Sequence, residues 1–134
     1  MLNKHFILHL SLIENIGPAT IQQIVEYIRS GAQASDLYCF SAADWMQRCG
    51  ISEKRAHTLV LGLSNTKVLE TELALIDKYK INWATVEEEH YPELLKTIYM
   101  PPAVLYWQGG AFDYKYKHCA IVGARASNAY VNAY

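Results

Sequence analysis

The sequence predicts an α + α/β protein, with short helices over residues 1–80 followed by the opening of a doubly wound α/β sheet over residues 81–134. Three observations carry this reading. Up to Lys80 the apolar residues recur at helical spacing. Beyond it they fall into short β-branched and aromatic runs punctuated by Pro and Gly, which is the pattern of strands. Near the end, Ala120-Ile121-Val122-Gly123-Ala124-Arg125-Ala126-Ser127 has the form of an apolar strand, a glycine turn and a capped helix start.

Each element has its own signal. Phe6, Ile7, Leu10 and Ile13 form the stripe of a first helix. Asn15-Ile16-Gly17-Pro18 is a turn that places proline at the first position of a second helix, where its missing N–H is harmless. Ile21, Ile24, Val25 and Ile28 give that helix its apolar face, and Gly31 ends it with a left-handed cap. Ser41-Ala42-Ala43-Asp44 reads as a capping box with Asp44 in place of Glu or Gln, and Trp45 and Met46 supply apolar contacts behind it. Cys49-Gly50-Ile51-Ser52 is a second turn, with Ser52 capping a helix through Ala56, Leu59, Val60 and Leu63. Gly62 is expected to weaken that helix near its end. A further helix from about Asn65 carries Val68, Leu69, Leu73, Ile76 and Tyr79 on a connected apolar face.

After the change of period, Ile81–Val86 reads as a strand and Glu87-Glu88-Glu89 as a solvated loop. Three adjacent glutamates point in different directions, which is unsuited to a paired-carboxylate catalytic site. Tyr91-Pro92-Glu93-Leu94-Leu95 is a short helical turn, and Met100-Pro101-Pro102 enforces extended chain. Ala103–Trp107 is a second strand stopped by Gly109-Gly110, and His118–Val122 a third, ended by Gly123. Ser127 opens a helix that runs to Tyr134.

Composition narrows the class. Of the 134 residues, 51% are apolar and 19% charged, with a net charge of -1, which excludes a disordered polyelectrolyte. No apolar run approaches the roughly 18–20 residues of a membrane span, and the early run is followed by Glu14 and Asn15 rather than by a cleavage site. Cys39, Cys49 and Cys119 form no C-x-x-C pair, so a zinc ribbon and a disulfide scaffold are disfavoured and a reducing cytoplasm is expected. His5 and His9 are four apart without a third ligand, and read as ordinary helix-surface or boundary residues. No metal and no cofactor is expected. Residues 1–90 hold 8 basic and 11 acidic residues, a net of -3, whereas residues 91–134 hold 4 basic and 2 acidic, a net of +2, with seven of the ten tyrosines.

Two features point to phosphate. The turns at Asn15-Ile16-Gly17 and Gly50-Ile51-Ser52 resemble helix-hairpin-helix turns, in which glycines let the backbone approach a phosphate at the positive end of the next helix. Each lacks one of the two usual glycines, so Gly17 and Gly50 are assigned only weak backbone contacts, and such turns also serve simply to pack helices. The second feature is the Gly123–Ser127 loop. It is not a G-x-G-x-x-G loop, which disfavours a dinucleotide site, but Arg125 at its tip suits a bidentate hold on a phosphodiester.

The order of these segments resembles the DNA-processing protein A (DprA/Smf) family. The residues that carry the resemblance are the two hairpin turns, then Tyr91-Pro92-Glu93-Leu94-Leu95, then Pro101-Pro102-Ala103-Val104-Leu105-Tyr106, then Ile121-Val122-Gly123-Ala124-Arg125. Ala124 stands where the family usually has Ser or Thr, and one usual positive charge after the loop is absent. The resemblance implies an N-terminal SAM-like, helix-hairpin-helix domain at residues 1–80. It implies the start of a Rossmann-like domain, of the kind shared with LOG-type proteins, at 81–134. It also implies a cytoplasmic, non-enzymatic protein of natural transformation and competence that binds single-stranded DNA, protects it and assists loading of the RecA recombinase. Gly123, Arg125 and Ser127 then become DNA phosphate-binding residues. The homodimer surface and recombinase contact of the family are expected beyond Tyr134, and the sheet is expected to be cut short there. Two alternatives stand beside this reading: a helical protein-interaction module that binds no DNA, and a LOG-like nucleotide-processing enzyme.

Overall fold

The computed structural model describes residues 2–110 together with Cys119 and Val122. Gly123, Arg125, Ser127 and the helix expected after them lie outside the described residues, as does the expected third strand apart from Cys119 and Val122. Among the described residues, α1 (Leu2–Leu12), α2 (Pro18–Arg29), α3 (Ala34–Tyr38), α4 (Ala42–Cys49), α5 (Glu53–Ser64) and α6 (Thr66–Lys78) come first. They are followed by β1 (Asn82–Thr85), α7 (Glu93–Lys96) and β2 (Val104–Trp107).

The helix boundaries follow local chemistry. Asn15 takes a φ of 68° in the turn between α1 and α2, and Pro18 is the first residue of α2 behind the extended Gly17. Gly50 caps α4 at a φ of 67°, and the Ser41–Asp44 capping box is formed in both directions, at 3.0 and 3.3 Å. The last turn of α6 closes with Ile81 N–H on the Ile76 carbonyl at 3.0 Å and Lys80 N–H on that of Asp77 at 3.3 Å. This closure puts Lys80 at a φ of 54°, a place glycine usually takes. The five-residue α3 has no counterpart among the elements expected from the sequence, since it is too short to show a period; it is held by buried Ala34 and Leu37.

Helix α1 is the axis of the molecule. Phe6, Ile7, Leu8, His9 and Leu10 are each at most 1% exposed, so the helix is covered on all sides rather than along one stripe. Helices α2, α3, α5 and α6 and both strands pack against it. Trp45, fully buried, meets the edge of Phe40 at 5.0 Å within the same core.

Three sequence expectations are corrected by this packing. His9 is not a surface residue. Its Nε2 donates to the Asn65 carbonyl at 3.1 Å, and its Nδ1 is hydrogen-bonded with the Tyr38 hydroxyl at 2.8 Å. Gly62 is not merely a weak point in α5, because a Cβ there would sit 2.7 Å from both γ-carbons of Ile13. The expected apolar face of α6 is only partly used: Ile76 is buried, Leu69 and Leu73 are half-buried, and Val68 and Tyr79 are exposed.

Strands β1 and β2 form an antiparallel ribbon with Asn82 opposite Trp107 and Thr85 opposite Val104. The parallel, doubly wound arrangement expected from the sequence concerns residues beyond this ribbon. The ribbon lies on α1: the Lys4 ammonium sits 4.1 Å from the Trp83 ring centroid and 3.1 Å from Glu88. Two of the three adjacent glutamates are therefore not simply solvated. Glu87 pairs bidentately with Arg29 at the end of α2, and Glu88 accepts from the Thr85 backbone N–H as well as pairing with Lys4.

Glu88 gives the fold a pH dependence. Burial on its own would raise the Glu88 carboxyl, but the Thr85 N–H and the Lys4 ammonium outweigh it and hold the group below its usual value. A carboxylate depressed in the folded state adds stability above its unfolded value of about 4.3, and that stability is lost as pH falls through the folded value. Thermal unfolding followed from neutral pH downward should show a falling midpoint below about pH 4. Glu88→Gln should lower the neutral plateau and flatten that acid limb, and an acid limb as steep as the parent's would remove Glu88 as its source.

Candidate functional site

The candidate residues fall into three places. The first is the pair of hairpin turns. Gly17 is extended, with φ -95° and ψ 179°, and a Cβ at either Gly17 or Gly50 would meet nothing within 4 Å. Of the two, Gly50 alone needs glycine for its conformation. The central isoleucines of both turns, Ile16 and Ile51, are 6% and 4% exposed and belong to one core. Each turn therefore has a packing role independent of any ligand.

The fold also brings the two turns together. Asn15 of the first and Ser52 of the second line one open cavity of about 450 Å³ with Lys54, Arg55 and Thr58. Ser52 caps α5 by position without a side-chain hydrogen bond to its backbone. The arrangement sets two cations beside the positive end of a helix, which is favourable to an anion. The sequence shows Lys54 and Arg55 following the second turn, but not that Asn15 faces them.

The second place is the connection between the strands. Tyr91 is fully buried, and its hydroxyl donates to the Pro102 carbonyl at 2.7 Å. That bond joins the Tyr91-Pro92 and Pro101-Pro102 segments, eleven residues apart, across α7. Tyr106 of β2 is bonded to Glu72 of α6, and burial together with that carboxylate pushes its phenol up to about 12. Its hydroxyl is thus engaged within the fold. Between α2 and this connection runs a cleft of about 410 Å³, which no sequence signal announces because its walls are distant in the chain.

The third place, the Gly123–Ser127 loop with Gly123, Arg125 and Ser127, lies outside the described residues. Among the described residues no three His, Cys, Asp or Glu side chains converge on a metal position. Burial pushes the Cys49 thiol up to about 11, leaving it protonated and a poor nucleophile at neutral pH. No helix among the described residues is long and apolar enough to cross a membrane.

The ribbon and its Tyr91–Pro102 clasp open a segment shared with a class of proteins that act on DNA in recombination. Residues 82–134 match the family described as DNA recombination-mediator protein A. The match begins at Asn82, the first residue of β1, and runs through Arg125. No curated protein and no solved structure matches the chain.

Proposed function

We propose that the protein binds single-stranded DNA non-covalently and without catalysis, through phosphate contacts at Gly123, Arg125 and Ser127, with weaker backbone contacts at Gly17 and Gly50. In this reading residues 1–80 are a SAM-like helical unit and residues 81–134 belong to a Rossmann-like one. The protein works in the cytoplasm in natural transformation, protecting incoming DNA and delivering it to the RecA recombinase, as a homodimer. The observation that carries the reading is the family match, which covers the Gly123–Ser127 loop. The net of +2 on residues 91–134 supports it.

Titration of fluorescent oligo-dT across salt tests it. Arg125→Ala should weaken binding and reduce the salt slope by about 0.7, one phosphate contact on a single strand. An unchanged slope removes Arg125 from the interface, and release of base from a nucleoside monophosphate would favour the enzyme reading instead. A second reading, the helical half as a protein-docking module, is favoured by Val68, Leu75 and Tyr79, which share one exposed face of α6 in a region of net charge -3.

A further inference from the structure

The cleft between α2 and the 86–103 connection has the make-up of a nucleotide subsite. Its floor is apolar: Ile21, Val25 and Ala103 are 4%, 3% and 9% exposed. Its volume of about 410 Å³ lies in the range of small-ligand pockets, roughly 300–1,000 Å³. Tyr99 stands on its wall and is 89% exposed. A large aromatic ring left in water beside an apolar floor is how single-strand binding proteins present a stacking platform.

The ionic side chains lining the cleft are Arg29, Lys96 and Glu87, and with Glu93 beside Lys96 the two cations meet two carboxylates. Arg29 and Glu87 satisfy one another across one end. Lys96 is 3.4 Å from Glu93, with side chains 31% and 72% exposed, and an ion pair open to water on its carboxylate side is weak enough to exchange for a phosphate. An apolar floor, an exposed ring and a lysine whose carboxylate partner is open to water match one nucleotide of a single strand: a base face, a second base face and a monoanionic phosphodiester.

We infer that this cleft holds one nucleotide of single-stranded DNA, its base stacked on Tyr99 and its phosphate met by Lys96, as a subsite separate from the Gly123–Ser127 loop. The inference rests on the proposed single-strand binding and extends it to the junction of α2 with the matched segment.

The test is an oligo-dT titration across salt with the full chain and with Tyr99→Ala, Tyr99→Phe, Lys96→Gln and Arg125→Ala. Tyr99 is at the surface, so its variants should unfold at the parent temperature. Tyr99→Ala should lose roughly 5- to 150-fold in affinity with its salt slope unchanged, the effect of one stacked base. Tyr99→Phe should retain the affinity, and Lys96→Gln should lower the slope by about 0.7. If Arg125→Ala weakens binding but Tyr99→Ala does not, the cleft is no base site and the loop reading survives. If Tyr99→Ala and Lys96→Gln act while Arg125→Ala is silent, the cleft stands and the loop falls. Equal losses in Tyr99→Ala and Tyr99→Phe would overturn stacking, and an absence of binding by the parent chain would overturn both readings.

Discussion

Tyr91→Ala is expected to lower the free energy of unfolding by about 3–5 kcal/mol, the range for truncating a buried aromatic side chain. Tyr91 is fully buried, so the lost ring leaves a cavity that the surrounding turns can only partly collapse. It also holds two segments whose own periodicity cannot hold them. The 86–103 connection contains only the four-residue α7, and both Pro101 and Pro102 lack a backbone donor. The Tyr91 hydroxyl bond to the Pro102 carbonyl is thus a principal tie across that connection. Tyr91→Phe separates the two contributions: it keeps the ring and leaves the carbonyl unmet, which should cost about 1–3 kcal/mol. Urea unfolding of the three proteins measures both effects. If Tyr91→Phe is as stable as the parent, the hydroxyl bond does not hold the clasp.

Gly62→Ala is expected to destabilise the protein, against the local rule. Within a helix, alanine is better than glycine by about 1 kcal/mol. Here the added methyl would stand 2.7 Å from two γ-carbons of Ile13, atoms close to a β-branched backbone position with little freedom to turn away. Overpacking of this kind costs typically about 1–3 kcal/mol, which outweighs the gain in propensity. The sign should reverse when room is made: in an Ile13→Ala background, Gly62→Ala should be neutral or stabilising by up to about 1 kcal/mol. A stabilising Gly62→Ala in the parent chain would show that Ile13 moves aside freely and that α5 is not locked against the turn after α1.

These two positions show how far local signals reach and where they stop. The starts of α2, α4 and α5 are legible at Pro18, Ser41 and Ser52, because a cap or a proline acts within one turn of chain. The two hairpin turns are equally legible at Asn15 and Gly50, where positive φ selects the residue. The strands at 82–85 and 104–107 show in their β-branched and aromatic runs, but their antiparallel pairing does not, since nothing in either run names its partner. Gly62 reads as a local weakness because its reason, Ile13, lies in the turn after α1, far away in sequence. The glutamates at 87 and 88 read as a solvated loop because Arg29 and Lys4 are distant in sequence.

The site divides in the same way. The amino-acid order is enough to give the succession of helices and strands apart from α3, the two hairpin turns, and the segment at residues 82–134 that matches the recombination-mediator family. These depend on short-range signals: period, caps, and residues within a few positions of each other. It takes the packed chain to show that α1 is enclosed on every side, that Asn15 faces Lys54 and Arg55, and that Tyr99 and Lys96 flank a cleft beside α2. Burial and cavity shape belong to pairs of surfaces. A chain specifies each surface locally, but which two meet is settled by the packing of the whole core.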